Sequence, residues 1–473
     1  MPKTTYKKAM FIALLVSSVI LYCVLMSNPF DSDMFFEIAS GNDLLQGNFS
    51  TASHLGNFPI IVQQWLYAVT LAIADKFGLI GHIVWVVIQH IILCTLSSIF
   101  IYRKTKNKKL AIIGSFFTIL LCHNYMINIR PQIITMILLV AELLLVELYK
   151  EKKKLKYLIA IFPILILAAN FHQAVFLYHL MVLVPYFVDK RFIDYSLLQD
   201  YDRPAKDISY RFDWKLALCS VGYLACSLCT PYGVNGALYI VRTAQSNAFK
   251  QMPVQEIGSL NLISYIGLKL LVLVGLTIYL LYKHKIDKFT TYFVFLVTVL
   301  SFINVRHISI AFIPVMYMLA KVDISKAKHA YVYGYLAICC IVLSVVKVRA
   351  PMIMQSYGDI ATVIENHDAK IYNTANVGGW LEYNGYTNVK YDVRPELFTK
   401  ELSGVDNYLY DYQIFMTGYY GGFIKDEEIL KQADKYDYMI TYKTDYVNRV
   451  LDWEIIYQND DYIVWQNDND FTN

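Results

Sequence analysis

Four carboxylates, Asp31, Asp33, Glu37 and Asp43, fall within NPFDSDMFFEIASGNDLLQG (28–47) with no Lys or Arg among them. From Asp33 onward the apolar residues Met34, Phe35, Ile38 and Leu45 recur with helical spacing, which predicts a short amphipathic helix carrying Asp33 and Glu37 on one face. Two carboxylates that close raise each other's proton affinity, which suits a general base or a pair clamped on a cation. The plainer reading is that Asp33, or Asp31 beside it, caps the helix while Glu37 is solvated. A second set is cationic. Arg130, in NIRPQ, sits where a helix re-enters an apolar run behind Pro131 and ahead of Gln132, and Arg306 with His307, in FINVRHISIAFIP, repeats the arrangement. Each arginine is either an interfacial anchor or a planar fork for phosphate that stays charged on partial burial. Asn170 and His172, in AANFHQAVF, interrupt an otherwise apolar hairpin, where each needs a hydrogen-bonding partner or water.

The elements that must position these residues are membrane helices. Of the 473 residues 56% are hydrophobic and 15% aromatic, the composition of a polytopic membrane protein. Apolar runs long enough to cross roughly 30 Å of hydrocarbon occur near 9–27, 80–102, 109–126, 132–149, 155–170, 173–188, 214–230, 263–282, 288–304, 306–320 and 329–347, giving about eleven candidate spans. The first is expected to be an uncleaved anchor, since it is long for a secretory signal and lacks a small-residue cleavage site. The N-terminus and the links at 103–109, 150–156, 189–215, 283–288 and 321–329 hold 25 Lys and Arg against 5 in the alternate loops. The positive-inside rule then makes the N-terminus cytoplasmic, and an odd number of crossings carries the tail to the other side. The segment 60–77 is apolar enough to cross as well, but crossing would invert every later loop, so a helix at the outer interface is expected there.

On this topology the first external loop (28–79) brings Asp31, Asp33, Glu37 and His54 to the outer face. His123, Asn124, Arg130, Gln132, Asn170, His172, Arg306 and His307 join them from later loops. They are expected to line one water-accessible cleft, because ionisable groups at membrane depth mark a substrate path. Glu142 has no second carboxylate at its depth, so a protonated, bundle-facing residue is expected rather than a proton relay.

The charge divides between a basic region, 1–349, with 33 Lys and Arg against 17 Asp and Glu, and an acidic one, 350–473, with 9 against 21. Region 1–349 is read as the membrane domain. Region 350–473 is read as an extracytoplasmic α/β domain: AKIYNTANVGGWLEYNGYTNVKYDVRPELF alternates short β-branched runs with Gly and Asn turns. KDEEILKQADKYD follows as a helix, YDYMITY as a strand and WEIIYQNDDYIVWQ as a hairpin about Asp460 and Asp461. The basic residues form no stripe or face, which argues against nucleic acid as a partner. The eight cysteines lie in or beside apolar runs and offer no disulfide framework; Cys226 and Cys229 have metal-pair spacing but stand alone.

With these residues in place, the chain resembles the GT-C superfamily of membrane glycosyltransferases, which contains oligosaccharyltransferases, protein mannosyltransferases and aminoarabinose transferases. The resemblance covers nearly the full chain and is strongest to a poorly characterised bacterial branch. It rests on the order of an acidic, aromatic first loop (DSDMFFEIASGNDLLQG), Gln64-Trp65-Leu66, Arg130 to Gln132, Asn170 with His172, Pro231 to Gly233, Arg306-His307 and the tail stretch IYNTANVGGWLEYNGYTNVKYDVRPELF. Two departures stand out. Glu37 occupies the place of the branch's usual histidine, and Gln63-Gln64 that of its frequent His-Glu, so histidine-based metal binding is not expected.

The resemblance implies a multi-pass enzyme of the bacterial plasma membrane that moves a sugar from a polyprenyl-phosphate-linked donor to a hydroxyl of an extracytoplasmic glycan, lipid or protein. Asp33 is then the base, with Asp31 as the competing candidate. Arg130 and Arg306 hold the leaving phosphate, with Gln132 alongside; Asn170, His172 and His307 orient sugar hydroxyls. No cofactor is required by this reading, and Glu37 would bind a divalent cation should the reaction use one. The rival readings are a non-catalytic scaffold of a surface-polysaccharide complex and a lipid or sugar transporter. The second calls for polar groups at mid-membrane on several helices and for symmetry between halves, and the sequence displays neither.

Overall fold

The computed structural model of the chain describes residues 12, 16, 33–121, 129–189, 211–246, 260–282, 288–320, 358–404 and 409–467. Asp31, His123 and Asn124 lie outside them, as do nearly all of 9–27 and the whole of 329–347. The protein is mostly helical, with a small sheet near its C-terminus. Among the described residues two helices, Gly78–Thr105 and Gln132–Lys152, are long and apolar enough to cross a membrane. A third candidate arises if Trp214–Leu228 and Gly233–Thr243 form one broken span. Shorter apolar helices cover 156–171, 173–186, 266–279, 288–303 and 305–319. The segment 60–77 contributes the Trp65–Asp75 helix, whose 11 residues reach about 16 Å, half of what a crossing requires.

The chain divides into two compact units that interleave along the sequence. One, the helical unit, takes 1–29, 84–229 and 254–348. The other, the tail unit, takes 30–83, 230–253 and 349–473, so that the first loop folds with the acidic C-terminal region.

In the helical unit Gln132–Lys152 is the central element. Its residues Ile133, Met136, Leu139, Val140, Leu143 and Val146 are buried, and Ile161–Phe171 packs along it. Gly78–Thr105 behaves differently: Ile83, Val84, Ile88, Ile91 and Ile92 are exposed, an apolar surface suited to lipid rather than water.

In the tail unit the expected helix is present over Asp33–Leu45, with Asp33 in its first turn against the positive end of the helix dipole. Gly47, in the left-handed region at φ 88°, closes it by donating to Leu44 O. Met34, Phe35 and Ile38 are buried, and the helix lies flush on Trp65–Asp75: a Cβ on Gly41 would stand 2.2 Å from Ala68 O. The sheet comprises β1 (Ile371–Asn373), β2 (Tyr438–Tyr442), β3 (Glu454–Gln458) and β4 (Tyr462–Gln466) in the order β1-β2-β4-β3. β1 and β2 run parallel, which demands a crossover, and helices Ala375–Tyr383 and Asp426–Ala433 lie in the connection. β3 and β4 form the expected hairpin, whose turn is held by Asn459 Oδ1 accepting from the backbone of Asp461 and Tyr462.

One expectation for the tail fails. NVGGWLEY, read as a run between turns, is the helix Ala375–Tyr383. Its Gly378 and Gly379 look like turn residues, yet Gly378 serves close approach, since a Cβ there would lie 1.8 Å from Tyr391 O.

Candidate functional site

The residues singled out by sequence fall into two sets, one in each unit. In the helical unit the N-terminal end of Gln132–Lys152 meets two breaks in the helical pattern. Ile161–Phe171 ends at His172, which starts a 3₁₀ turn over Gln173–Val175, and Lys288–Ile303 ends in a 3₁₀ stretch over Val305–Ala311. Asn304 caps that stretch by accepting from the Arg306 backbone at 2.9 Å. These breaks let polar side chains leave a bundle whose other faces are apolar. Thr135, one turn beyond Gln132, is hydrogen-bonded to His172 Nδ1 at 2.8 Å. The Tyr178 hydroxyl is hydrogen-bonded to His307 Nδ1, and the two rings meet edge to face. Arg306 and His179 both lie within electrostatic range of His172. The Gln132 amide oxygen is buried and meets no donor of the chain among the described residues. Arg130 is half-buried at the turn before Pro131.

Thus His172, Arg306 and His307 gather with Thr135 and Tyr178, and Gln132 lies one turn from Thr135 on its helix. Asn170 is engaged elsewhere, because its amide nitrogen donates to Ile166 O and Cys229 O and so braces the turn that carries His172. Gln173 adds a bond to Ser227 O. Glu142 is fully buried and faces the bundle as expected, but it has a partner that its sequence position did not suggest, His179 at 2.7 Å. Cys226 and Cys229 are free thiols.

The tail unit holds the acidic set. Asp33 is half-buried at the start of its helix. Glu37 is buried rather than solvated, and Gln64 donates to it at 2.5 Å. Glu37 and Gln64, which lie in separate stretches of the sequence, therefore touch each other. Asp43 accepts from the Ser53 backbone at 2.9 Å and from the Ser53 hydroxyl, and lies 3.3 Å from His54. His54 continues to Glu382 at 3.0 Å. Arg394 holds Asp392 through Nε at 2.7 Å, donates to Ser40 at 3.1 Å, stands 3.9 Å from Glu382 and covers the Phe36 ring at 4.4 Å. Sequence reasoning missed Glu382, Asp392 and Arg394, because an acidic tail reads as solvated surface.

The electrostatics follow from burial. Desolvation alone would depress the His54 imidazolium, but the Glu382 charge and the bonds to Asp43 and Glu382 outweigh it and push its pKa up to about 9. Burial would raise Asp43, yet His54 and Ser53 hold it below the usual carboxylate value. Glu382 is raised by burial against the pull of His54. Arg394 is lifted above the ordinary guanidinium value despite desolvation, through Asp392, Glu382 and Glu37. Among the described residues no group of three or more His, Cys, Asp or Glu side chains is arranged to hold a metal ion. No family model matches the chain, and no curated protein matches it.

Proposed function

We propose that the protein is an integral membrane glycosyltransferase of the GT-C type, with about eleven spans and an extracytoplasmic tail domain. It transfers a sugar from a polyprenyl-phosphate donor to an acceptor hydroxyl at the outer face of a bacterial plasma membrane. The observation that carries this reading is the gathering of His172, Arg306 and His307 with the Thr135 and Tyr178 hydroxyls, the helix of Thr135 also carrying Gln132. Such a group supplies what an anionic leaving group requires: guanidinium charge, imidazoles oriented by hydroxyls, and a buried amide oxygen that a sugar hydroxyl would satisfy. Arg130 and Arg306 take the phosphate, and charge that develops as the glycosidic bond breaks is stabilised where donors already point. Asp33, with Asp31 as the competing candidate, takes the acceptor hydroxyl's proton as that oxygen bonds to the anomeric carbon and the bond to the polyprenyl phosphate breaks, with inversion. Asn170 serves this site by holding the turn.

The test is transfer from polyprenyl-phosphate sugars by the reconstituted full chain. Asp33→Asn is expected to lower turnover by roughly 10²- to 10⁴-fold, the usual yield of general-base catalysis. Unchanged turnover removes Asp33 from the mechanism.

A second reading is favoured by one observation. Glu37 and Asp43, half of the acidic quartet, are engaged by Gln64, Ser53 and His54, as a scaffold would engage them. In that case the fold is kept for assembly of a surface-polysaccharide complex, and Asp33→Asn leaves complex formation and polysaccharide output intact.

A further inference from the structure

The Gly233–Gln245 helix belongs to the tail unit and shows two unlike faces. Tyr239, on one, is 5% exposed and joins the aromatic core of the unit, with Tyr232 packed beside it, and the helix rests on Lys400–Ser403. On the other face Val234, Leu238 and Val241, spaced i, i+4 and i+7, are 59%, 42% and 49% exposed. A soluble domain has no reason to hold a helix by its tyrosines and turn an aliphatic stripe outward.

Chain continuity says what covers the stripe. Four residues upstream ends the apolar stretch Trp214–Leu228, on which Trp214, Leu218, Val221 and Leu224 are exposed at the same kind of helical spacing. Elsewhere in the tail unit the chain runs into the candidate span Gly78–Thr105 through Phe77, Leu79 and Ile80, which are exposed as well. Along the chain the unit therefore adjoins apolar helices of membrane length or character at two points, and at both its aliphatic side chains are exposed. Arg242, beside Val241 near the end of the helix, supplies the flanking cation that marks interfacial helices.

We infer that Gly233–Gln245 lies on the bilayer surface, with Val234, Leu238 and Val241 at the headgroup–acyl boundary and Arg242 reaching lipid phosphates. Buried Tyr239 and partly buried Tyr232 then make this helix a foot by which the tail unit stands on the membrane. The inference is independent of glycosyl transfer.

The experiment places p-benzoylphenylalanine in turn at Val234, Leu238 and Val241, and at the exposed tail residues Asp368 and Lys443 as controls. The full chain is reconstituted in vesicles of radiolabelled phosphatidylethanolamine and phosphatidylglycerol and irradiated. The expected result is roughly fivefold more lipid label on the chain at the three stripe positions than at the controls. Labelling at control level overturns the proposal, as does an adduct of twice the chain's mass at the stripe, which would assign this face to a second copy.

Discussion

Both units bury ionisable groups, and they do so in opposite styles. In the tail unit the groups complete one another: Asp43 with His54, His54 with Glu382, Arg394 with Asp392. The charges alternate, and these buried acids face a cation or a hydrogen-bond donor of the unit. In the helical unit Thr135 and Tyr178 hydroxyls serve His172 and His307, and the Gln132 amide oxygen meets no donor among the described residues. Paired opposite charges hold segments of a unit together, whereas hydroxyls set the orientation of imidazoles without pairing a charge. The contrast explains why the opening quartet of carboxylates is a poor guide by itself. Asp43 stitches the first loop to the tail, while Asp33 stands at a helix start.

The sharpest way to break the contrast is Arg394→Ala. It leaves Asp392, Glu382 and Glu37 buried near one another without their cation, and a loss of about 3–5 kcal/mol is expected. Thermal unfolding of the purified chain, or protease resistance of the tail, checks it. A cost below about 1 kcal/mol would mean that the network is wetter than its burial implies.

Next in size is a pH effect. The folded pKa of His54, about 9, lies above its ordinary 6.5. Its contribution is therefore complete below pH 6.5, shrinks as pH rises, and is gone once pH passes 9. Asp43, held below 3.8, adds stability that disappears as pH falls through its folded value. Thermal midpoints measured across pH should decline on the alkaline side, and His54→Gln should flatten that decline while lowering the plateau. A decline unaffected by His54→Gln would assign it to other groups.

In the helical unit, Arg306→Ala is expected to weaken binding of a polyprenyl-phosphate sugar by about 1.5–3 kcal/mol, the value of a hydrogen bond to a charged group. Arg306→Lys should recover part of this, because charge survives where the fork does not. Equal donor affinity in all three proteins would erase the distinction between the two units. Smallest is Tyr178→Phe, which removes the hydroxyl facing His307 and should cost about 0.5–1.5 kcal/mol of stability. A larger change in donor affinity than in stability would sharpen the comparison, since it would make the hydroxyl an orienting group rather than a packing one.

Several elements were legible because their signal is local. The Asp33–Leu45 helix, the Asp426–Ala433 helix, β2 and the β3–β4 hairpin follow from side-chain periodicity and turn residues near in sequence. Helix Ala375–Tyr383 was not, since Gly378 and Gly379 advertise a turn, and nothing local reveals the Tyr391 backbone that Gly378 accommodates. The candidate site was legible by residue type and only partly by role. His172, Arg306 and His307 gather, whereas Asn170 turns its amide nitrogen to backbone carbonyls. Glu142 was recognised as buried, but its partner His179 lies 37 residues away, beyond any spacing rule.

By itself the sequence determined the composition and the periodicities: an apolar chain with helices long enough to cross a membrane, an acidic α/β tail, and the residue types from which a charged site has to be made. Those are sums and short-range patterns, and hydrophobicity and backbone geometry read them directly. Tertiary structure decided the pairings, joining Asp43 to Glu382 through His54 across more than three hundred residues and setting Arg394 against Ser40 and Phe36. The reason is dielectric. Whether a carboxylate is solvated surface or the keystone of a buried network depends on what excludes water from it, and that is a property of the fold.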